Sequence, residues 1–550
     1  MLSSGYEQVG PAPVSAASRQ EAQDGARPTQ AAPARTTHTQ SIPAKPLFEL
    51  GRIQYALPGP LLHIAAAANK LLLCIAPVDA TPMRLVYLDL DDPSRTQEAL
   101  LPPPIQSRGA RWRQPTESTR VFIDPTAQHA LACTGTHTYY WTPSWPRARR
   151  VQQLDGVPVT AVGWGRPRTD PPVPLPSLPG TRKWIWTPPV LLGTARGDLV
   201  ETTITAQVGE DRFDLFDRWA RKSAGSIDYP LERGTYRLYS LASDAHPITG
   251  LSVEMKEKCA LIIVATSSRL YEFVGEVSTS VSAEASPVFL RVFDSYKQSL
   301  QPHWKTDLPP GLGTLLTVTS PVASPPHGST AHMMAWLTGA GIYAAQIEAG
   351  TGISGADLAV LPRITESPIA MGRTPLHYVL VYADSLVCMN ALDPEVKYEV
   401  PLQLQSHEQV QGLVVDRSSH TCWMYTSMGG ILELLVHDEA RDMWHLLLKR
   451  QLFASALKFC RDDESRKQVL ESQGNALLAS GNALKAVECY AEARSPSFEH
   501  VALALMDAAA DNALRRYVKL CLDALPRTAR VQRLMLATWL LELFVRALHA

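Results

Sequence analysis

GTGISG (Gly350 to Gly355) has the glycine spacing of a dinucleotide-binding loop. That chemistry needs a strand before the glycines and a long helix after them, whose first amides hold a pyrophosphate. An apolar run does precede it, but ADLAVL runs straight into Pro362 and no strand–helix–strand alternation surrounds it. The hexapeptide therefore reads as a loop connecting two small sheets. HEQVQ (His407 to Gln411) lacks the second histidine of a zinc protease helix, and no Walker A or GxSxG sequence occurs. The eight cysteines stand singly, mostly inside apolar runs and never as CxxC, which points to reduced, buried thiols in a cytosolic protein and to no zinc site. Asp124 and Asp416 are expected to order turns through their own backbone. No catalytic, cofactor-binding or metal residue is assigned, and the chain is not read as an enzyme.

Three other stretches have an interaction chemistry. PRARR (Pro146 to Arg150) is a small basic cluster that would attract anionic lipid but reads first as a solvated loop. PPVPLPSLP (Pro171 to Pro179) has polyproline character and reads as a surface insertion. FDLFDRWARK (Phe213 to Lys222) fits a short amphipathic helix covering a sheet flank. A formal net charge of −1 on 550 residues argues against nucleic-acid binding driven by bulk charge. MLSSGYEQVG carries neither the basic start nor the apolar core of a signal peptide. Glu542 and Arg546 interrupt Leu534 to Leu548, so membrane contact is expected to be peripheral or through partners.

Those stretches must sit on something, and the chain supplies two kinds of element. Residues 1–44 are rich in Ala, Pro, Ser, Gln and Thr and are expected to be disordered. Residues 45–436 read as strand after strand. Arg52–Leu57, Leu61–Ala68, Leu71–Pro77 and Arg84–Leu90 are four runs in succession, the unit of a propeller blade. VFIDPTAQHALACTGTHTYYW (Val121 to Trp141) and LVVDRSSHTCWMYTSMGGILE (Leu413 to Glu433) share a pattern. Aligning Asp124 with Asp416 places Thr134 on Thr426 and Tyr139 on Ile431 without a gap. Strand–turn–strand cores recur at Leu191–Ile204, Leu261–Val274, Met333–Ile347 and Tyr378–Leu392, giving about seven units. Seven such units predict a closed β-propeller; two β-sandwiches are the competing arrangement.

From 437 to 550 the apolar spacing turns helical. Ala440, Met443, Trp444, Leu447 and Leu448 open the pattern, and Phe453, Ala456, Leu457 and Cys460 continue it. Ser495-Pro496 reads as a cap and first-turn proline. The last stripe holds Leu536, Trp539, Leu540, Leu543, Phe544, Ala547 and Leu548. Short helices with wide apolar stripes predict the start of an α-solenoid of helix pairs. Trp444 and Trp539 read as core residues first.

EARDMW (Glu439 to Trp444), SALKFCR (Ser455 to Arg461), SFEHVALALM (Ser497 to Met506), NALRRYV (Asn512 to Val518) and ATWLLELF (Ala537 to Phe544) resemble the vacuolar protein sorting-associated protein 18, or Deep orange, family. FIDPTAQHALACT (Phe122 to Thr134) and LLGTARGDLVET (Leu191 to Thr202) resemble its N-terminal domain. The resemblance implies a propeller followed by a solenoid, without catalysis or cofactor. It implies a class C core subunit of the HOPS and CORVET complexes, which tether endosomes, vacuoles or lysosomes before SNARE-driven fusion. The implied partners are the other class C subunits and a Sec1/Munc18-like subunit, with Rab GTPases and SNAREs reached indirectly. The implied location is the cytoplasmic face of late endosome and vacuole or lysosome membranes, and the cytosol. Members of the family carry a C-terminal RING-type zinc domain whose cysteines are not found here, so no zinc role is carried over. The chain is accordingly expected to be a fragment or a shortened product. Trp539, Leu540, Leu543 and Phe544 are then expected to stand uncovered as a partner surface, and the isolated chain to self-associate. A vesicle-coat or nuclear-pore scaffold shares this architecture, and a propeller enzyme is the remaining rival.

Overall fold

The computed structural model describes residues 7–8, 46–53, 55–77, 82–102, 119–135, 137–143, 145–165, 184–207, 235–241, 246–278, 287–297, 304–311, 316–319, 332–363, 365–393 and 395–549. They divide into two compact units, Met1–His437 and Asp438–Ala550.

The first unit is a seven-bladed β-propeller of four-stranded antiparallel blades. In each blade the first strand lies innermost and the others follow outwards. The inner strands are, in order, Leu61–Ala67, Thr119–Ile123, Val159–Trp164, Gly250–Lys256, Leu316–Thr319, Ala370–Arg373 and Val410–Asp416. The second and third strands form the tight hairpins legible in the sequence, such as Cys259–Ala265 with Arg269–Glu276 and His377–Val381 with Ser385–Asn390. Second strands are covered on both faces: Leu71, Leu72, Leu73 and Cys74 are all buried. Such strands lose the alternation of a half-exposed sheet and read as continuous apolar runs. The apolar clusters lie between neighbouring blades. Leu72, Tyr87, Leu131 and Trp141 join blades one and two, and Met334, Trp336, Leu261 and Ile263 join blades four and five.

Blade seven closes the ring. Val410–Asp416, Thr421–Thr426 and Ile431–Val436 supply three strands, and Phe48–Ile53 supplies the fourth, with Phe48 opposite Val436 and Ile53 opposite Ile431. The first run of the sequence therefore belongs to the last blade, and the outer strand of blade one is Gln97–Leu100. This corrects the reading of Arg52–Leu57 as part of a first blade. The physical reason is that an open ring leaves two unpaired strand edges, whereas one borrowed strand ties the beginning of the domain to its end. Phe48 is fully buried in that joint.

GTGISG is also placed differently. Gly341–Glu348 and Gly352–Ala359 pair as the outer hairpin of blade five. The hexapeptide thus spans a turn and a strand within one blade, not a link between sheets. Gly350, Gly352 and Gly355 take positive φ there, which explains the glycines without a nucleotide. Of residues 1–44, Glu7–Gln8 falls among the described residues, as a short strand beside Phe48–Ile53. PPVPLPSLP and FDLFDRWARK lie outside the described residues.

A helix, α1 (Leu290–Lys297), is inserted in blade four between its third strand and Trp304–Asp307. Val292 and Phe293 bury one face of it. The buried carboxylate of Glu201, from blade three, accepts hydrogen bonds from Val288 N at 2.6 Å and Phe289 N at 2.9 Å, just ahead of that helix.

The second unit is a helical solenoid. Its described helices are α2 (Met443–Lys449), α3 (Phe453–Phe459), α4 (Asp463–Ala479), α5 (Ala483–Ala493), α6 (Phe498–Asp507), α7 (Asp511–Ala524) and α8 (Arg530–His549). The first helix begins at Met443 because turns occupy Glu439–Asp442, later than the spacing from Ala440 implies. Ser497, not Ser495, caps α6, accepting from His500 N. Asp462 caps α4, accepting from Ser465 N at 2.6 Å. Gly474 lets α4 and α5 meet: a Cβ there would lie 2.6 Å from the Tyr490 ring. Tyr490 then donates to Asn475 Oδ1 at 2.7 Å.

Candidate interaction surfaces

The last helix has apolar residues on both faces. Leu536 is buried, and Trp539, Leu540 and Leu543 pack half-buried on the core of α5, α6 and α7, around Val487, Leu505, Leu514 and Val518. Phe498 stands edge-on to Trp539 at 5.8 Å and stacked on Tyr517 at 5.6 Å. On the opposite side Val531 (81 % exposed), Leu534, Met535, Leu541, Val545 and Leu548 (85 % exposed) face outwards, with Phe544 half-exposed at 50 %. Of the four residues expected to stand uncovered, Phe544 is half-exposed, whereas Trp539, Leu540 and Leu543 are packed against the core. A stripe of residues recurring every three to four positions covers one side, and in a helix apolar all round a second stripe remains.

The propeller contributes a central channel, a cavity of about 690 Å³ walled by the inner strands of every blade but the sixth. The strands run the same way around it, because their first residues meet first residues and their last meet last. Arg120 Nη1 donates to Thr160 O at 2.7 Å, and a Cβ on Gly250 would sit 2.4 Å from Leu316. At the other end the turn after Val410–Asp416 reaches several blades. Asn69 N donates to Asp416 Oδ2 at 2.8 Å and Ala68 N to Ser418 Oγ at 2.9 Å, both from blade one. Arg417 Nη2 donates to Glu254 Oε1 of blade four at 2.8 Å and lies 3.1 Å from His332 Nδ1 of blade five. His332 Nδ1 is 2.9 Å from Glu254 Oε2. Burial alone would raise the Glu254 pKa, but the His332 hydrogen bond and the Arg417 charge outweigh it and hold it below the usual carboxylate range.

Asp124 and Asp416 do order their turns: Asp124 Oδ1 accepts from Gln128 N and His129 N, and Asp416 Oδ1 from Ser418 N. Asp416 also fastens blade seven to blade one, which the sequence pattern did not foretell. The basic cluster is not a freely solvated loop. Arg149–Arg150 is a short outer strand, Arg150 pairs with Asp155 at 2.7 Å, and Arg149 lies 4.2 Å over the Trp145 ring. Trp444 is half-buried. Arg363 is a further tie that sequence reading missed. Its guanidinium donates to Glu366, Asp384 and Glu399, each at 2.8 Å, and lies over the Tyr382 ring. The members of the channel bridge are far apart in the chain, with Arg417 and Glu254 separated by 163 positions, so no local spacing marks them.

Comparison with known proteins gives two family models that together span nearly all of this chain. One, described as the Pep3/Vps18/deep orange beta-propeller domain, matches residues 46–435. The other, described as VPS18, alpha-solenoid domain, first half, matches residues 437–550. The chain is 24 % identical over 514 residues to a vacuolar protein sorting-associated protein 18 homolog of Danio rerio, covering 92 % of this chain and 48 % of the relative. It is 25 % identical over 453 residues to vacuolar sorting protein 18 of Arabidopsis thaliana, with coverages of 78 % and 41 %. The vacuolar membrane protein pep3 of Schizosaccharomyces pombe is 28 % identical over 191 residues, or 34 % of this chain and 21 % of that one. The chain thus spans less than half the length of these relatives.

Proposed function

The chain belongs to the Pep3/Vps18/deep orange family, and from that premise we propose that it is a non-catalytic scaffold subunit of a vacuolar sorting and membrane-tethering complex of the HOPS and CORVET type. The observation that supports this reading is the succession of a propeller and a helical stack that matches the two family models. In the last described helix one apolar face builds the stack, and the other is proposed for protein contact. Residues 45–436 form the propeller part of the scaffold and 437–550 the beginning of its solenoid arm. The proposed partner surface is Phe544 together with Val531, Leu534, Leu541 and Leu548, while Trp539, Leu540 and Leu543 hold the helix in place beneath it.

The partners are the other class C subunits and a Sec1/Munc18-like subunit, with Rab GTPases and SNAREs engaged through the assembly. No helix among the described residues is long and apolar enough to cross a membrane, in keeping with peripheral attachment at the cytoplasmic face of late endosomes and the vacuole or lysosome. Several modest interfaces in one assembly raise avidity by effective concentration.

The test is purification of the tagged protein from its own cells, with mass spectrometry of what remains after a high-salt wash. Near-stoichiometric class C subunits are expected. Recovery of coat or nuclear-pore subunits in their place would overturn the assignment.

A further inference from the structure

The two ends of the propeller channel differ in a way the scaffold reading does not use. At the end where the inner strands finish, a bridge of paired charges lies across the channel: Glu254 holds Arg417 and His332, Ser252 Oγ donates to Glu254 at 3.2 Å, and the Asp416 carboxylate accepts from backbone amides. Just outside, Lys256 pairs with Glu348 at 3.0 Å. The bridge runs from blade seven to blade four, three blades away around the ring, and so floors the channel.

At the end where the inner strands begin, one cation lacks a counter-charge among the described residues. The exposed guanidinium of Arg120 is held in place through one nitrogen on Thr160 O and has no carboxylate partner among the described residues. Beside it, His63 Nδ1 accepts from Val121 N at 3.4 Å, which assigns the ring proton to Nε2. Burial, assisted by the Arg120 charge, pushes His63 down to about 4, so the ring stays a neutral donor at ordinary pH. A backbone hydrogen bond with Ile64 works weakly the other way. Between the two ends the wall is apolar, with Phe122, Val162, Leu251, Val253 and Leu316.

We propose that the channel is a one-ended cup for a partner peptide segment, its mouth gripping a single acidic side chain through Arg120 and His63 while aliphatic neighbours of that side chain lie on the apolar wall. The chemistry sets the class. One unmatched cation suits one carboxylate, which a guanidinium binds with two parallel hydrogen bonds. A polyphosphate would leave most of its charge against hydrocarbon, where an unpaired charge is costly. A fully apolar peptide would leave the Arg120 guanidinium without a counter-charge.

The full chain is titrated by calorimetry with acetyl-Leu-Val-Glu-Val-Leu-amide and with the same peptide carrying Gln for Glu. The expected result is one site per chain for the Glu peptide and at least ten-fold weaker binding of the Gln peptide. Arg120→Gln should bring the Glu peptide down to the Gln level while leaving the melting temperature unchanged. Lys397→Gln, in the outer strand of blade six, should change nothing. Equal binding of both peptides, no binding of either, or an Arg120→Gln variant as effective as wild type would overturn the proposal. So would displacement of the peptide by equimolar inorganic phosphate, which would make the site a general anion site.

Discussion

Blade seven and the last helix solve the same problem in opposite ways. Each carries an apolar face beyond the one that its preceding repeat covers. The propeller borrows Phe48–Ile53 from the start of the chain, so its last sheet is completed from within. Helix α8 buries Leu536, half-buries Trp539, Leu540 and Leu543, and leaves Val531, Leu534, Leu541 and Leu548 exposed. A ring can be finished by its own chain; a stack needs another layer or a repeat with a polar outer face. Stability is expected to rest on the propeller seam and association on the helix face, and substitutions can separate the two.

The largest effect is expected at the seam. Phe48→Ala should cost about 4 kcal/mol in denaturant unfolding, the scale for emptying a buried aromatic site. A loss under about 1 kcal/mol would mean that the N-terminal strand is an accessory and not the closure. Next comes the helix. Leu536→Ala should cost about 3 kcal/mol, whereas Leu534→Glu, on the opposite face of the same helix, should stay within about 0.5 kcal/mol and lower self-association in light scattering. Equal destabilisation by both would erase the distinction between faces. Glu201→Ala leaves Val288 N and Phe289 N without their acceptor and should cost about 2 kcal/mol, with calorimetry reporting an earlier melting of the propeller.

Two smaller effects appear as pH dependence. His63 keeps its neutral form down to about 4 in the folded chain, against an ordinary 6.5. Above 6.5 neither state is protonated; between 6.5 and 4 the unfolded chain alone takes up the proton, so stability falls as the pH drops through that window. His63→Gln should flatten this slope by about 2 kcal/mol in urea titrations at pH 7 and pH 4. Glu254 has the opposite chemistry. Its pKa is held below the ordinary 4.5, so its contribution is complete above that value and fades as the pH falls through the lowered one. The stability gap between wild type and Glu254→Gln should therefore narrow below pH 4.5.

The sequence carried the local part of this architecture well. Runs such as LLLC and LIIV mark strands covered on both faces, and turns such as Ala68-Asn69, both at positive φ, sit where the pattern breaks. The helical stripe of α7 (Leu514, Tyr517, Val518) is the face that is buried. What the sequence hid is whatever depends on long separations. Phe48 and Val436 pair across nearly the whole propeller, and Arg417 meets Glu254 with no shared motif. The last helix was hidden for another reason: apolar residues at almost every angle leave periodicity unable to say which face turns inward. That ambiguity is the reason Trp539, Leu540 and Leu543 read as a surface and are half-buried.

The central claim is that this chain works by presenting surfaces within a tethering assembly. The most direct measurement replaces the protein in its own cells with a Leu534→Glu/Leu541→Glu variant and follows, by fluorescence microscopy, delivery of an endosomal cargo to the vacuole or lysosome. The account predicts normal levels of folded variant, loss of the class C subunits from its purified complex, and cargo held in endosomes. Normal delivery with those subunits absent from the complex would contradict it.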